Sequence, residues 1–152
     1  MADNEQAAQQ FLVQRLYVKD VSFEAPLGAE VFTKKWQPKI NVDLNTKNAA
    51  LNDESYEVVL TVTLTAKIEE DTAFLIEVQQ AGIFLVKGIE GETLRRALGI
   101  MAPNILFPYL REAVDGLVIK GGFPAVGLQP VNFEALYMHA LEQAKQSAES
   151  SH

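Results

Sequence analysis

A chain of 152 residues with 48% hydrophobic and 22% charged residues has the size and composition of one globular domain. Its 20 acidic residues against 13 lysines and arginines give a formal net charge of −7, which repels phosphate backbones and argues against nucleic acid as a ligand. The absence of cysteine excludes disulfides and thiolate metal sites.

The first ten residues, MADNEQAAQQ, are polar and acidic, whereas an export signal begins with basic residues and continues with an apolar segment. We therefore expect residues 1–10 to be a disordered tail and the protein to stay in the cytoplasm. No run of about 18 apolar residues occurs in the sequence, so membrane insertion is not expected.

Four segments between residues 11 and 86 show the alternation of apolar and polar side chains that is typical of β-strands. They are FLVQRLYVKDVSFE, KINVDLN, YEVVLTVTLTAKI and TAFLIEVQQAGIFLV. The polar sequence EEDT joins the last two at the length of a hairpin, and a long link that contains proline, residues 25–38, separates the first two. The sequence therefore predicts a four-stranded antiparallel sheet.

After Gly88 the apolar period becomes that of a helix. Residues 91–120 predict one long helix, which Pro103 and Pro108 either kink or divide in two. The glycines and prolines that follow predict a loop, and Asn132 is a suitable N-cap for a second helix, NFEALYMHALEQAKQ. We expect residues 146–152 to be a disordered tail.

Strands followed by helices predict an α+β domain, residues 11–145, with two helices packed on one face of the sheet. Phe74, Ile76 and Val78 point toward that helical layer. The first helix is apolar around most of its circumference, so a monomer would leave apolar surface in water. Self-association is the usual remedy, and we assign Phe74, Ile76 and Val78 to the oligomer interface.

Side chains suited to catalysis or metal binding are scarce. His139 lies off the apolar stripe of the second helix, where a solvated histidine is expected. The consecutive acids Glu69, Glu70 and Asp71 are expected to form a solvated turn rather than a metal site. No segment has the spacing of a phosphate-binding loop, so ATP use is not predicted. We expect neither an enzyme nor a bound cofactor.

Two other features suggest binding surfaces. Five outward strand positions make one sheet face acidic, either by ordinary alternation or as a docking surface for a basic partner: Asp20, Glu24, Asp43, Glu57 and Glu77. Large apolar residues also occur on the long link, the late loop and the helices, where they form either additional core or a groove for apolar chain segments. They include Val31, Phe32, Trp36, Ile40, Tyr109, Phe123, Val126, Leu128 and Tyr137.

Six segments carry a family resemblance. They are KDVSFEAP (19–26), WQP (36–38), YEVVL (56–60), TAFLIEVQQAGIF (72–84), PNILFPYLRE (103–112) and FPAVGLQPVNFEALY (123–137). Together they closely resemble the SecB family of bacterial protein-export chaperones, over nearly the whole chain between residues 11 and 141. The resemblance implies a cytoplasmic homotetramer, a dimer of dimers, that holds unfolded precursor proteins without ATP and passes them to the SecA motor.

The resemblance also implies site residues. In the family, the outer face of the sheet receives the basic, zinc-bearing C-terminal tail of SecA, at positions that are Asp20, Glu24, Leu75 and Glu77 here. That zinc belongs to the partner, so no metal is expected in this chain. The client groove of the family corresponds to Trp36, Ile40, Tyr109, Phe123, Leu128 and Tyr137.

Two alternatives stay open. A SecB-like chaperone of a toxin–antitoxin pair would share the fold and differ in its client, and genomic neighbourhood would separate the two. A carrier of lipids or other small molecules would use the same apolar groove, although the groove lacks the convergent polar groups that such ligands need.

Overall fold

The computed structural model describes residues 9–150, which form a four-stranded sheet and a helical layer. The strands are β1 (Gln10–Glu24), β2 (Lys39–Ala50), β3 (Ser55–Ile68) and β4 (Asp71–Lys87), and a 3-10 helix (Gly28–Thr33) lies in the link after β1. All neighbouring strands are antiparallel, in the order β1-β4-β3-β2. The predicted four-stranded antiparallel sheet is confirmed, and β1 and β2 are its edges.

The helical layer consists of α1 (Gly91–Arg96), a π-helical segment (Ala97–Met101), α2 (Ala102–Lys120) and α3 (Phe133–Ser150). The first three pieces follow one another without a break, so the predicted long helix is one run that contains a π segment. Pro103 has no N–H group, and it is the second residue after the π segment. The change from α-helical to π-helical hydrogen bonding therefore occurs close to a residue that cannot donate a backbone hydrogen bond in either pattern.

Alternation along β4 separates the two faces of the sheet. On the inner face, Phe74, Ile76 and Val78 have no exposed area, whereas Leu75 and Glu77 between them are partly exposed on the outer face. The long helix α2 covers the inner face of β3 and β4 with Leu106, Leu110, Val114 and Val118. Each large side chain buried in this way contributes roughly 1.5–3 kcal/mol.

The assignment of Phe74, Ile76 and Val78 to an oligomer interface requires correction. Their side chains are 0% exposed in the single chain, because helix α2 already covers them. A side chain without exposed area has nothing left to bury against a second subunit. These three residues belong to the core of one chain, and a charge at Ile76 would unfold that chain rather than only separate subunits.

Helix α3 differs from the prediction that both helices pack on the sheet. It begins as expected, because the Asn132 side chain accepts the Ala135 N–H at 3.0 Å. Among residues 133–149, however, only Phe133 is buried. The main contacts of α3 are with the π segment. Arg96, the last residue of α1, pairs with Glu134 at 2.7 Å and lies over the ring of Tyr137. The remaining apolar stripe of α3 is largely exposed.

The structure agrees only in part with the prediction that both ends of the chain are disordered tails. Residues 1–8 lie outside the described range, and Gln10 already belongs to β1. At the other end α3 continues through Ser150, so residues 146–150 are helical rather than disordered. Residues 151–152 lie outside the described range. Alanine, glutamine and glutamate in this segment are good helix formers, which favours the longer helix.

Candidate functional site

The outer face of the sheet brings four predicted residues together. The register pairs Glu24 with Leu75 and Asp20 with Gln79, while Glu77 lies between these two pairs on β4. Residues that face each other across antiparallel strands share one side of the sheet. Asp43 lies on the same side, because it faces Thr63, which in turn faces Glu77. We call Asp20, Glu24, Asp43, Leu75 and Glu77 the acidic surface.

Glu57 lies on the same face but has a different environment. Lys19 donates a hydrogen bond to its Oε1 at 2.9 Å, and the Tyr17 hydroxyl donates to Oε2. The Tyr17 and Lys19 bonds stabilise the carboxylate and hold the pKa of Glu57 below its ordinary value. Burial and the neighbouring Glu57 raise the pKa of Tyr17 to about 12. The positive charge of Lys19 offsets that of the Glu57 carboxylate, so Glu57 adds little to the negative potential of the acidic surface.

A polar hollow separates Glu57 from the acidic surface. It has a volume of about 470 Å³ and is lined by both lysines and acids, among them Lys19, Lys47 and Glu77. A β-bulge between Val18 and Asp20 inserts Lys19 into β1 as an additional residue. Mixed charge in this hollow limits the acidic surface to one end of the sheet.

An apolar groove lies between strand β2 and the loop that precedes α3. It has a volume of about 520 Å³ and is formed by Ile40, Val42, Leu44, Phe107, Val126, Gly127, Leu128, Gln129, Pro130 and Val131. Ile40, Val42 and Leu44 alternate along β2 and therefore share its inner face. None of the lining residues is ionisable. We call this set the apolar groove.

A second cleft continues from the apolar groove along β2. It has a volume of about 320 Å³, and its lining includes Leu44, Gly99, Phe133 and Tyr137. Leu44 lines both depressions, and the rings of Phe107 and Phe133 meet edge to face with centroids 6.0 Å apart. An added Cβ at Gly99 would lie 2.8 Å from the Tyr137 ring, so glycine permits this close approach. Together the two depressions extend from the loop to helix α3.

An aromatic cluster joins the link after β1 to the end of α2. Trp36 stacks near Phe74 and Phe123, with ring centroids 6.2 and 5.2 Å apart, and Phe32 lies 5.3 Å from Phe123. Phe74 and Phe123 are buried, whereas Phe32 is 59% exposed. Aromatic pairs at such distances add to the free energy gained by burial. The cluster attaches the link to the core.

The six residues predicted for a client groove lie in four places. Ile40 and Leu128 line the apolar groove. Trp36 and Phe123 belong to the aromatic cluster and Tyr137 lines the second cleft. Tyr109 lies on the other side of α2, in a hollow of about 410 Å³ beside β1. The structure therefore brings Ile40 and Leu128 directly together, and it separates Tyr109 from them.

Several groove residues were absent from the predicted set. They are Val42, Leu44, Phe107, Val126, Gly127, Gln129, Pro130 and Val131. The alternation in KINVDLN already assigns Ile40, Val42 and Leu44 to one side of a strand, so two of the omitted residues could have been found. In the sequence Phe107 resembles an ordinary core residue. Its role in the groove could not be predicted, because its position relative to the loop depends on the tertiary fold.

An apolar stripe remains exposed on the inner face of edge strand β1. Val13, Val18 and Val21 are 42%, 48% and 41% exposed, since α2 packs mainly against β3 and β4. Tyr109, on the neighbouring side of α2, is exposed as well. Contiguous apolar surface of this kind is uncommon on soluble monomers. We call Val13, Val18, Val21 and Tyr109 the β1 stripe.

Residues 9–150 contain few features of other kinds of site. No group of three or more histidine, cysteine, aspartate or glutamate side chains is arranged to hold a metal ion there. Glu69, in the predicted acidic turn, has a φ of 58°, as expected for a tight hairpin. None of the helices in that range has both the length and the hydropathy needed to span a bilayer.

Comparison with known proteins identifies relatives over most of the chain. The sequence model of the family described as "Preprotein translocase subunit SecB" matches residues 4–144. The "Protein-export protein SecB" of Marinobacter nauticus is 50% identical over 155 residues, which cover 97% of this chain and 94% of the relative. The protein of the same description from Hahella chejuensis is 51% identical over 152 residues, which cover 97% and 96%.

One solved structure is similar in fold. It is the SecB-like chaperone of Mycobacterium tuberculosis in complex with a ChAD peptide from the HigA1 antitoxin. The TM-score is 0.64, and the alignment covers 84% of this chain and 94% of that chain. At 14% identity this similarity concerns the arrangement of the sheet and helices alone.

Proposed function

The chain belongs to the SecB family of preprotein translocase subunits, a family of protein export. From this membership and the geometry above we propose that it is a cytoplasmic, ATP-independent chaperone. It binds unfolded secretory precursor proteins, keeps them competent for translocation and delivers them to the SecA motor. We propose neither an enzymatic activity nor a bound cofactor.

The apolar groove is the observation that carries this proposal. Its walls are Val, Ile, Leu, Pro and Phe side chains, with Gln129 as the single polar side chain among them. Such a groove suits apolar segments of many sequences, since nothing in it requires a particular polar partner. Folded proteins have already buried those segments, so selectivity comes from the unfolded state of the client.

Avidity supplies the affinity that one groove lacks. Burial of one large client side chain contributes roughly 1.5–3 kcal/mol, whereas micromolar binding needs about 8 kcal/mol in addition to the cost of association. A long client that reaches several grooves in one assembly makes its later contacts intramolecular, which raises affinity by about 10²–10⁴. A homotetramer, a dimer of dimers, provides these grooves in our proposal.

The β1 stripe supports self-association. Val13, Val18 and Val21 lie on an edge strand beside the exposed Tyr109, and a second copy that covered them would remove this apolar surface from water. A two-fold arrangement would place the same stripe of both copies in contact. We propose this stripe, in place of Phe74, Ile76 and Val78, as part of a subunit interface.

The acidic surface is our proposed site for SecA. Asp20, Glu24, Leu75 and Glu77 lie together on the outer face, and the carboxylates around Leu75 suit a basic peptide with a small apolar anchor. This face is opposite to the inner side that carries the apolar groove. A client and the zinc-bearing tail of SecA could therefore bind at the same time, which delivery requires.

Capture of newly made protein tests the proposal. The tagged chain is used to isolate bound polypeptides from bacterial cells, and uncleaved secretory precursors are expected to be enriched over cytoplasmic proteins. A secretory precursor that is unfolded chemically should bind, and the same protein should not bind once it has folded. Equal capture of the folded and unfolded forms would contradict a holding chaperone. Enrichment of one antitoxin in place of precursors would favour the toxin–antitoxin alternative.

A further inference from the structure

The loop between α2 and α3 forms one wall of the apolar groove, and few hydrogen bonds hold it. At its start the Phe123 N–H donates to the Val118 carbonyl at 3.0 Å. Within the described range, residues 124–131 make no backbone-to-backbone hydrogen bond. Val126, Leu128 and Val131 nevertheless contribute apolar side chains to the groove. Something other than regular secondary structure must set the position of this wall.

The carboxylate of Asp115 makes the hydrogen bonds that attach the middle of this loop. Its Oδ1 accepts the N–H of Val126 at 3.0 Å and that of Gly127 at 3.1 Å. Gly127 has a φ of +62°, in the left-handed region that favours glycine. Hydrogen bonds to an ionised acceptor are stronger than those between neutral groups. Two bonds to one oxygen therefore fix two successive peptide N–H groups on the loop relative to helix α2.

We propose that Asp115 is a positioning residue for client binding: it holds the loop wall at a fixed separation from β2, so that the groove is open before a client arrives. This rests on the proposed chaperone function. Without the carboxylate, the apolar side chains of the loop are free to close on Ile40 and Val42, because apolar walls attract each other in water. Part of the binding free energy of a client is then spent on ordering the loop.

Affinity for an unfolded client tests this role. The probe is a secretory precursor unfolded in urea, labelled with a fluorophore and titrated with the protein after rapid dilution. Asp115→Ala is expected to raise the Kd about tenfold, in line with the loss of hydrogen bonds to a charged acceptor. Asp115→Asn keeps an oxygen that can accept both N–H groups, and it should bind nearly as the parent does. Glu112→Ala, on the same helix, is the matched control and should leave the Kd unchanged.

Hydrogen exchange separates this inference from the proposed function. The amides of Val126 and Gly127 should lose protection in Asp115→Ala and keep it in Asp115→Asn. If the parent captures no client, the chaperone proposal fails, and these two amides still report whether Asp115 holds the loop. If the parent binds and Asp115→Ala binds equally well, the positioning role is wrong.

A second variant covers the case in which Asp115→Ala fails to fold. Gly127→Ala has space for its methyl group but must adopt a strained φ, so it disturbs the same loop without a change in α2. We expect it to raise the Kd about fivefold. An unchanged Kd in Gly127→Ala, together with faster exchange of the loop amides, would overturn the proposal.

Discussion

Replacement of Glu77 by Lys tests whether the acidic surface binds a basic partner. The register places Asp20 and Glu24 diagonally across from Glu77, at roughly 8 Å, and Asp43 two strands away, at about 10 Å. At 0.1 M salt the Debye length is about 10 Å, so all four carboxylates act on one bound cation. Each of the four carboxylates therefore makes a measurable contribution to the electrostatic potential at this site.

The expected magnitude follows from Coulomb's law. A lysine of the partner about 5 Å from Glu77 gains ~0.8 kcal/mol from that carboxylate in water. Glu77→Gln removes this attraction and should weaken binding about fourfold. Glu77→Lys also adds a repulsion of equal size, for a total of ~1.7 kcal/mol, and should weaken binding more than tenfold. Reversal of the charge should thus cost about twice as much free energy as its deletion.

Calorimetric titration with the isolated zinc-bearing tail of SecA measures these differences at low and at high salt. At 1 M salt the Debye length falls to about 3 Å, so the affinities of the parent and both variants should converge. Glu70→Lys is the matched control, since it makes the same change in net charge in the turn before β4, about 20 Å from Glu77 and thus beyond the Debye length at 0.1 M salt. Subunit assembly and client capture should stay normal in all three variants, because the groove is on the other side of the sheet.

Two results would refute this reasoning. Equal affinity of Glu77→Lys and the parent at low salt would show that the acidic surface is an ordinary solvated face. An equal loss in Glu70→Lys would show that net charge, rather than the grouping of Asp20, Glu24 and Glu77, determines binding.

Three further predictions concern other parts of the molecule. Burial and Glu57 raise the pKa of Tyr17 from 10.0 to about 12, so the fold favours the neutral phenol. The stability from this pair should be complete below pH 10 and be lost as the pH rises toward 12. In a spectrophotometric titration, the phenolate signal that develops near pH 12 should be smaller in Tyr17→Phe than in the parent. Trp36→Ala should lower the free energy of unfolding by about 3 kcal/mol in denaturant titrations, because its ring belongs to the aromatic cluster. Ile40→Ala should instead weaken client capture with little loss of stability, because Ile40 lines the apolar groove. The opposite pattern would exchange the roles of these two residues. Val21→Lys on the β1 stripe should reduce the mass measured by light scattering, and an unchanged mass would exclude the stripe from the interface.

The outer face of the sheet could be predicted from the sequence because its cause is local. Successive side chains of a strand point to opposite sides, so Leu75 and Glu77 had to lie opposite Phe74 and Ile76 whatever the rest of the chain does. The N-cap at Asn132 is equally local, since its side chain reaches a backbone N–H three residues later. Sequence patterns of this range predicted the strands, the helices and the acidic residues that point outward from each strand.

Burial and the shape of the groove were decided by the tertiary structure. Periodicity shows which side of a strand is apolar, but it does not show what covers that side. Helix α2 packs mainly against the two central strands, β3 and β4, so Phe74 on β4 is buried in the core. Val18 and Val21 lie on an apolar side of β1 as well, but they stay exposed. The groove likewise depends on residues far apart in the chain, such as Ile40 and Leu128, whose approach follows from the position of a loop that has no period of its own.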